Sequence, residues 1–217
     1  LVSAAAFKSS NYLGMLQNIG AGQGGGRLPA LRTVVRTGDE ATAGMRNWRE
    51  LMQLGCEHLL ELPAESLLDC DDAINIQFTS GTTGAPKGAT LTHHNIVNNA
   101  IAVAQCMRFT EDDALAIPVP LYHCFGMVLG VLACVATGAK MVFPGEGFEP
   151  RSTLAAVEAE ACTALHGVPT MFIAELDHPE FALFDLRTLR TGIMAGAPCP
   201  VEVMKRVQRD MHMREVT

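Results

Sequence analysis

The chain contains 217 residues, of which 48% are apolar and 18% are charged, so it can bury a core and is not a disordered chain. Its 16 basic and 23 acidic residues give a formal net charge of −7, which argues against nucleic acid as a partner because phosphate backbones favour basic surfaces. The longest apolar stretch, 124–136, is shorter than the roughly 18 residues that a transmembrane helix needs. The sequence therefore predicts no membrane-spanning segment.

The first third of the chain carries weak patterns. Helices are predicted over residues 7–19 and 45–54, with a short strand at 33–36 between them. The glycine-rich run 20–26 predicts a loop. This run contains Gly-x-Gly, but the third glycine of a dinucleotide-binding fingerprint would fall at Arg27, so we interpret it as a connector.

Strands and helices alternate from residue 73 onward. Ile74, Ile76 and Phe78 alternate with polar residues, which is the periodicity of a strand. Thr92 is suited to cap a helix whose apolar residues recur at helical spacing, namely Ile96, Val97, Ala100, Ile101, Ala104 and Met107. Further strands are predicted at 114–119, 140–143, 164–168 and 190–195, and further helices at 125–137, 151–161, from Pro169, and at 200–211. This order predicts an α/β fold with a largely parallel sheet covered by helices.

Cysteine usage indicates free thiols rather than disulfides. The number of cysteines is odd and no CxxC occurs, which predicts largely buried free thiols in a reducing compartment. The seven are Cys56, Cys70, Cys106, Cys124, Cys134, Cys162 and Cys199. The pair His93–His94 has no cysteine or carboxylate at metal-binding spacing along the chain, so no metal ligands are predicted and both histidines are expected to be exposed on a helix.

The segment 79–88 reads TSGTTGAPKG and combines hydroxyls, glycines and one lysine. Glycines let backbone N–H groups approach an anion, hydroxyls donate to phosphate oxygens, and a lysine adds positive charge. A Walker A loop needs Gly before the lysine and Ser or Thr after it, where this chain has Pro86 and Gly88. A triphosphate cradle and a polar surface loop are both compatible with this composition.

The string TSGTTGAPKG resembles the phosphate-loop signature of the adenylate-forming superfamily, which includes acyl-CoA synthetases, luciferases and the adenylation domains of peptide synthetases. Two further segments resemble that family in the expected order. Residues 120–126 are similar to its second core motif, and residues 195–198 to its adenine loop, with Ala195 in place of a glycine. Around residues 74–99 and 121–124, the resemblance is to the mitochondrial medium-chain fatty-acid–CoA ligases.

The resemblance implies a place in the large N-terminal domain of such an enzyme. Residues 1–72 would be an incomplete N-terminal part, and residues 73–217 the core with the phosphate loop, the acyl-pocket helix and the adenine loop. The implied activity is that of an acid–thiol ligase, in which a fatty acid and ATP give acyl-adenylate and pyrophosphate, and coenzyme A then displaces AMP. Mg²⁺ is implied as well, with ligands mostly beyond Thr217, and the implied location is the mitochondrial matrix.

The resemblance also assigns roles to individual residues. Lys87 and His123 would be catalytic, with Lys87 beside the leaving pyrophosphate and His123 near the reacting carboxylate. Phe125 and Gly126 would shape the acyl pocket. Contacts to the nucleotide would come from Thr79, Ser80, Gly81, Thr82, Thr83, Gly84, Ala85, Pro86, Lys87, Gly196, Ala197 and Pro198.

The residues leave simpler readings open. Without the resemblance, His123 would be interpreted as a core histidine bonded to the backbone. A nucleophilic pair of His123 and Cys124 is disfavoured, since neighbours on an extended segment point to opposite faces.

We expect the chain to be a piece of a longer protein, because it starts at Leu1 and stops before the family's Tyr-Gly-x-Thr-Glu motif. On its own it is not expected to form acyl-adenylate. Three hypotheses stay open: a fatty-acid–CoA ligase, an enzyme that adenylates an aryl or amino acid, and a truncated, non-catalytic nucleotide-binding protein. The apolar helix after His123 favours an alkyl substrate.

Overall fold

The computed structural model describes residues 1–20, 28, 30–57, 68–79 and 84–217 and divides the chain into two compact units, Leu1–Leu67 and Leu68–Thr217. In the described part of the chain, no helix combines the length and the apolar character needed to cross a membrane.

The first unit consists of short elements. In chain order these are β1 (Val2–Ser3), β2 (Ala6–Phe7), β3 (Ser10–Asn11), α1 (Tyr12–Asn18), β4 (Val35–Arg36), β5 (Arg46–Asn47) and α2 (Trp48–Glu57). Strands β1, β4 and β5 form a parallel sheet with β4 in the centre, and β2 and β3 form an antiparallel hairpin.

The helix predicted over 7–19 begins only at Tyr12. Residues Ser10 and Asn11 pair with β2, and the Asn11 side chain accepts a hydrogen bond from the Gly14 N–H, which caps the helix at its observed start. The predicted strand at 33–36 is confirmed at Val35–Arg36. Most of the predicted glycine loop, from residue 21 onward, lies outside the described residues.

The second unit opens with a hairpin and continues into an α/β sheet. Its strands are β6 (Ala73–Thr79), β7 (Lys87–Thr92), β8 (Ala114–Ala116), β9 (Lys140–Val142), β10 (Ala164–Gly167), β11 (Thr191–Met194) and β12 (Glu215–Val216). Its helices are α3 (His93–Cys106), a π-helix (Phe125–Leu132) that runs into α4 (Ala133–Thr137), α5 (Pro150–Ala159), α6 (Pro169–Leu176), a 3₁₀ turn (Phe181–Leu183) and α7 (Val201–Asp210).

The predicted parallel sheet is confirmed. Five strands lie in the order β12-β11-β10-β8-β9, and every neighbouring pair is parallel. Leu115 and the two alanines that flank it in β8 point to opposite faces, so each face carries its own core. Helices α5, α6 and α7 pack on one face, and α3, the π-helix and α4 pack on the other.

Two expectations about the hairpin and its helix need correction. No strand was predicted between the one at 74–78 and the helix capped by Thr92, but residues 87–92 form β7, which pairs antiparallel with β6, so the phosphate-loop segment joins the two strands of a hairpin. Thr92 caps α3 as predicted, in a capping box with Asn95. Within α3, however, Val97 and Ile101 are exposed, because the helix turns only its Ile96–Ala100–Ala104 stripe towards the core.

The cysteines are free, but most of them are not buried. Only Cys134 and Cys162 lie in the core, where burial raises the pKa of each thiol to about 11. Cys124 is exposed although it borders an apolar run, because it precedes the first turn of the π-helix. In α7 the buried apolar residues are Val203 and Val207, and Val201 in the first turn is exposed.

Candidate active site

Two of the predicted motif segments leave the same edge of the parallel sheet. Strands β8, β10 and β11 are parallel neighbours, so their carboxyl ends meet at one edge. β8 leads through residues 117–120 into the turn that carries His123, and β11 leads directly into residues 195–198. Ligands of open α/β sheets bind outside the carboxyl ends of the strands. This carboxyl edge is therefore the candidate site.

The β6–β7 hairpin presents both ends of the predicted phosphate loop. Thr79 and Lys87 lie opposite each other in the last register pair, with the Thr79 hydroxyl 3.5 Å from the Lys87 carbonyl oxygen. Gly84, Ala85, Pro86 and Lys87 are all exposed. The predicted ligands Ser80, Gly81, Thr82 and Thr83 lie outside the described residues.

A side-chain hydrogen bond connects this hairpin to the His123 turn. The Gln77 amide Nε2 donates to the Tyr122 carbonyl oxygen at 2.9 Å, across 45 residues of sequence. Gln77 stands two residues before Thr79 in β6, and Tyr122 directly precedes His123. The bond therefore brings the strand that enters the phosphate loop next to the predicted catalytic histidine.

His123 is exposed and is not a core residue. Its Nδ1 accepts a hydrogen bond from the Phe125 backbone N–H at 3.1 Å. An acceptor nitrogen carries no proton, so in the neutral imidazole the proton sits on Nε2. Nε2–H is then oriented by the backbone and free to donate to an oxygen of a bound ligand.

The Cys124 thiol lies closer to His123 than the sequence suggests. Residues 121–123 form a turn and Cys124 has helical backbone angles, so the segment is not extended and the Cys124 Sγ comes within 3.7 Å of His123 Nδ1. The expectation that these two side chains point to opposite faces was therefore wrong. The lone pair of Nδ1 is already engaged by the Phe125 N–H, so the contact does not make His123 a base for the thiol.

Phe125 and Gly126 are buried at the start of the π-helix. A Cβ added to Gly126 would lie 2.4 Å from the Pro120 carbonyl oxygen, so the close approach of these two backbone segments requires glycine here. The Phe125 ring packs 5.4 Å from the ring of His166. Both residues thus have a packing role at the site, and their predicted part in acyl binding stays a prediction.

His166 is a site residue that the sequence reasoning missed. It is fully buried in β10; its Nε2 lies 3.1 Å from the Leu129 carbonyl oxygen in the π-helix, and its Nδ1 accepts the Ile193 N–H of β11 at 3.3 Å. Because Nδ1 accepts, Nε2 carries the proton and donates to Leu129. Burial lowers the pKa of His166 to about 4, so it stays neutral near pH 7.

This buried imidazole joins the π-helix to β11, the strand that leads into the 195–198 segment. The available signal was a single polar ring in the otherwise apolar run 164–168. A π-helix shifts the backbone hydrogen bonds from i+4 to i+5 and is frequently found at functional sites. His166 supplies a donor to one of the carbonyls in this irregular helix.

In the 195–198 segment Ala195 is half-buried, residues 196–198 are exposed, and backbone carbonyls hold both ends. The Ala195 N–H donates to the Gly167 carbonyl oxygen at 3.2 Å, and the Cys199 thiol lies 2.9 Å from the Met194 carbonyl oxygen. Gly196 has φ +85°, a left-handed conformation that favours glycine. The backbone of residues 196–198 is therefore accessible and preformed.

Two further features lie away from this edge. A cavity of about 470 Å³ is lined by residues of the 3₁₀ turn and by Asp185, Arg187 and His212, and none of the predicted site residues contributes to it. At the start of α3, the side chains of Cys70 and Asp71 approach His94, a proximity that spacing along the chain did not indicate.

The chain matches known proteins over most of its length. Residues 16–217 match the family described as AMP-binding enzyme. The chain is 54% identical to YngI of Bacillus subtilis (strain 168), whose name assigns it to the acyl-CoA synthetases, over 88% of this chain and 35% of the relative. It is 44% identical to the mitochondrial medium-chain acyl-CoA ligase ACSF2 of Danio rerio, over all of this chain and 38% of the relative.

A solved structure agrees with the fold. The anthranilate CoA ligase AuaEII, determined in complex with anthranoyl-AMP, superimposes with a TM-score of 0.80 at 21% identity, over 93% of this chain and 38% of the other. The chain thus spans about a third of the length of the curated relatives it matches. The fold and the family match over residues 16–217 agree, and the chain belongs to the AMP-binding enzyme family.

Proposed function

We propose that this chain holds the ATP phosphates, the adenine and one wall of the acyl site in a fatty-acid–CoA ligase that acts on medium-chain acids. The observation that carries the proposal is the meeting of the His123 turn and the 195–198 segment at the carboxyl edge of one sheet, with Gln77 bonded to Tyr122 beside them. The relative from Danio rerio, named for a medium-chain substrate, supports the choice of acid.

The reaction would proceed in two displacements. A carboxylate oxygen attacks the α-phosphorus of ATP, a new P–O bond forms, and the α–β phosphoanhydride breaks to release pyrophosphate. The thiolate of coenzyme A then attacks the acyl carbon, a C–S bond forms, and AMP leaves. The first displacement concentrates negative charge on the phosphates, so its main requirement is a set of donors and cations fixed in position.

Residues of this edge meet that requirement in different ways. Lys87 is exposed at the end of the hairpin that carries the phosphate-loop segment, where its ammonium group would neutralise charge on the departing pyrophosphate. His123 would donate its Nε2–H to an oxygen of the adenylate. Gly196 to Pro198 would contact adenine through their accessible backbone.

Magnesium has no evident protein ligand among these segments. Residues 79–87, 120–126 and 195–198 contain no Asp or Glu, so their contribution to phosphate binding is hydroxyls, amides and the Lys87 cation. We assign no step of the reaction to Mg²⁺ on these residues.

We further propose a mitochondrial location, supported by the relative from Danio rerio, which is named as mitochondrial. YngI is bacterial, so membership of the family does not by itself imply this compartment. Fractionation of cells that express the full-length protein would test it, and recovery outside mitochondria would overturn it.

The activity is tested by acid-dependent exchange of pyrophosphate into ATP with the purified full-length protein. We expect exchange with octanoate and much less with anthranilate or an amino acid. The structural similarity to an anthranilate ligase favours the aryl acid as the second candidate, and exchange with anthranilate alone would establish it instead. Binding of ATP without exchange for any acid would favour the non-catalytic hypothesis.

The role of Lys87 is tested separately. We expect Lys87→Ala to slow adenylation by about 100-fold, in the range found when a donor to developing charge is removed, while octanoate binding changes little. The matched control is Lys205→Ala, which removes an exposed lysine paired with Glu202 on α7. An equal loss of adenylation and of fatty-acid binding would contradict the assigned role.

A further inference from the structure

The turn that precedes β6 is held against the start of α3. The His94 N–H donates to the Cys70 carbonyl oxygen at 2.9 Å, and the His93 N–H approaches the Asp72 carbonyl oxygen at 3.3 Å. Ala73 and Thr92 form the first register pair of the hairpin, so this contact closes its open end. The backbone thus fixes Cys70, Asp71 and His94 on one small surface patch.

The side chains of these three residues converge on a common point. Their ligand atoms, a thiol sulfur, a carboxylate oxygen and an imidazole nitrogen, all lie within 4.8 Å of one another. A point no more than about 2.8 Å from all three therefore exists. Zinc is bound at about 2.0–2.3 Å by these atoms, so a contraction of less than about 1 Å would complete three bonds.

The surroundings favour a cation at that point. Asp69, Asp71 and Asp72 place three carboxylates within four residues. No ion pair involves any of the three among the residues that the structure describes. All three converging side chains are exposed, so an ion can reach them from solvent.

We propose that Cys70, Asp71 and His94 form a binding site for a zinc-class divalent metal ion, with Asp69 or water as the fourth ligand. A mixed set of thiolate, imidazole and carboxylate matches the preference of zinc over magnesium or calcium, which prefer oxygen ligands alone. Binding replaces the thiol proton of Cys70 by the S–metal bond and releases that proton to solvent.

The bound ion would clamp the open end of the hairpin. It would join the turn at 69–72 to the first turn of α3, while Thr79 and Lys87 stand at the opposite end of the same two strands. Its role is therefore structural or regulatory and is separate from the chemistry at the carboxyl edge. The site does not depend on the proposed ligase activity.

The test is a titration of the purified, reduced full-length protein with Co²⁺, followed by competition with Zn²⁺. We expect one ion per chain, a near-ultraviolet absorption from a cobalt–thiolate bond, and loss of that absorption when zinc is added. Cys70→Ser should abolish the thiolate absorption, and His94→Ala should weaken binding by at least about tenfold, as loss of a ligand costs no less than loss of a supporting group.

The chain offers two matched controls. His93→Ala removes the neighbouring histidine on the same helix, and Cys106→Ser removes an exposed cysteine at its far end. Both should bind Co²⁺ as the unchanged protein does. Absence of one-to-one binding, a thiolate absorption that persists in Cys70→Ser, or an equal loss in His93→Ala would overturn the proposal.

Melting temperature supplies an independent readout. Zinc should raise the melting temperature of the unchanged protein and of His93→Ala by similar amounts, and should raise that of His94→Ala much less at the same zinc concentration, because stabilisation by a ligand falls as its affinity falls. A similar rise in all three proteins would count against the site.

Discussion

The two edges of the five-stranded sheet are built in opposite ways. At the amino edge, Asp113, Thr163 and Arg190 precede β8, β10 and β11, and they form one network. Arg190 Nη2 donates to the Asp113 carboxylate at 2.8 Å, and the Thr163 hydroxyl donates to it at 2.6 Å. At the carboxyl edge, His123 and residues 196–198 are exposed and make few polar side-chain contacts with the rest of the chain.

The difference separates a network that stabilises the fold from an edge that is the candidate ligand site. Burial of Asp113 by itself would raise the pKa of its carboxyl, but hydrogen bonds from Arg190, Thr163 and the Thr110 N–H outweigh this, and the pKa is lowered. Those donors are fully used within the protein. The donors at the carboxyl edge are positioned by the backbone and remain available, as binding of an anionic ligand requires.

The largest effect is expected at the amino edge. Asp113→Ala should lower the free energy of unfolding by about 3 kcal/mol, because it removes the hydrogen bonds from Arg190, Thr163 and the Thr110 N–H and leaves Arg190 only the more distant Glu215 carboxylate. The lowered native pKa means that the contribution of Asp113 is present above about pH 4 and is lost as the pH falls through that pKa. Urea unfolding at pH 7 measures the loss of unfolding free energy, and the same measurement at pH 3.5 tests its dependence on pH. Asp112→Ala, at the exposed neighbouring position, is the control. An equal loss in both variants would show that the Asp113 network does not stabilise the fold.

A smaller loss is expected from crowding at the carboxyl edge. Gly126→Ala places a methyl group 2.4 Å from the Pro120 carbonyl oxygen, so the backbone must move. We expect a loss of about 1–3 kcal/mol in urea unfolding. Gly147→Ala, where an added Cβ meets nothing within 4 Å, is the control. Tolerance of alanine at 126 would show that the two segments are not closely packed.

A stabilising change is expected in α6, which starts from the carboxyl edge. Glu175 is fully buried and its Oε2 has no hydrogen-bond partner among the described residues; burial raises the pKa of its carboxyl well above the usual range. A raised native pKa favours folding only while the group is protonated, so stability is lost as the pH rises above about 4.5 towards that value.

Glu175→Gln should therefore raise the free energy of unfolding by about 1 kcal/mol at pH 8 and by less at pH 4. Glu146→Gln, at an exposed position, serves as the control. A gain that does not depend on pH would indicate that ionisation of Glu175 is not the cause.

The smallest effect on stability is expected at His123. His123→Ala removes an exposed side chain with one backbone hydrogen bond, so unfolding should change by less than about 0.5 kcal/mol. Acid-dependent exchange in the full-length protein should fall, because Nε2–H is lost. A variant that unfolds readily would instead make His123 part of the structural framework.

Most of the α/β architecture was predictable because local patterns report it. Apolar runs marked the strands, Thr92 marked the start of α3, and the apolar stretch 125–137 marked the helix after His123. β7 was missed because Lys87 to Thr92 has too little apolar alternation to indicate a strand. Its pairing with β6 comes from the partner strand, and such a non-local contact leaves little trace in a short window.

The candidate site, like the fold, was predictable only in the features that short segments of the chain carry. Lys87, His123 and residues 195–198 were selected by the resemblance of three segments, in their order along the chain, to adenylate-forming enzymes, whereas composition alone left a polar surface loop and a core histidine open. Contacts across the fold were not accessible in this way: the Gln77–Tyr122 bond, the His166 bridge and the approach of Cys70 to His94 join residues that are 24 to 45 positions apart. Side-chain chemistry and local periodicity are properties of short segments and can be read along the chain. Which segments meet at a sheet edge depends on strand order and packing, which arise only when the whole core forms.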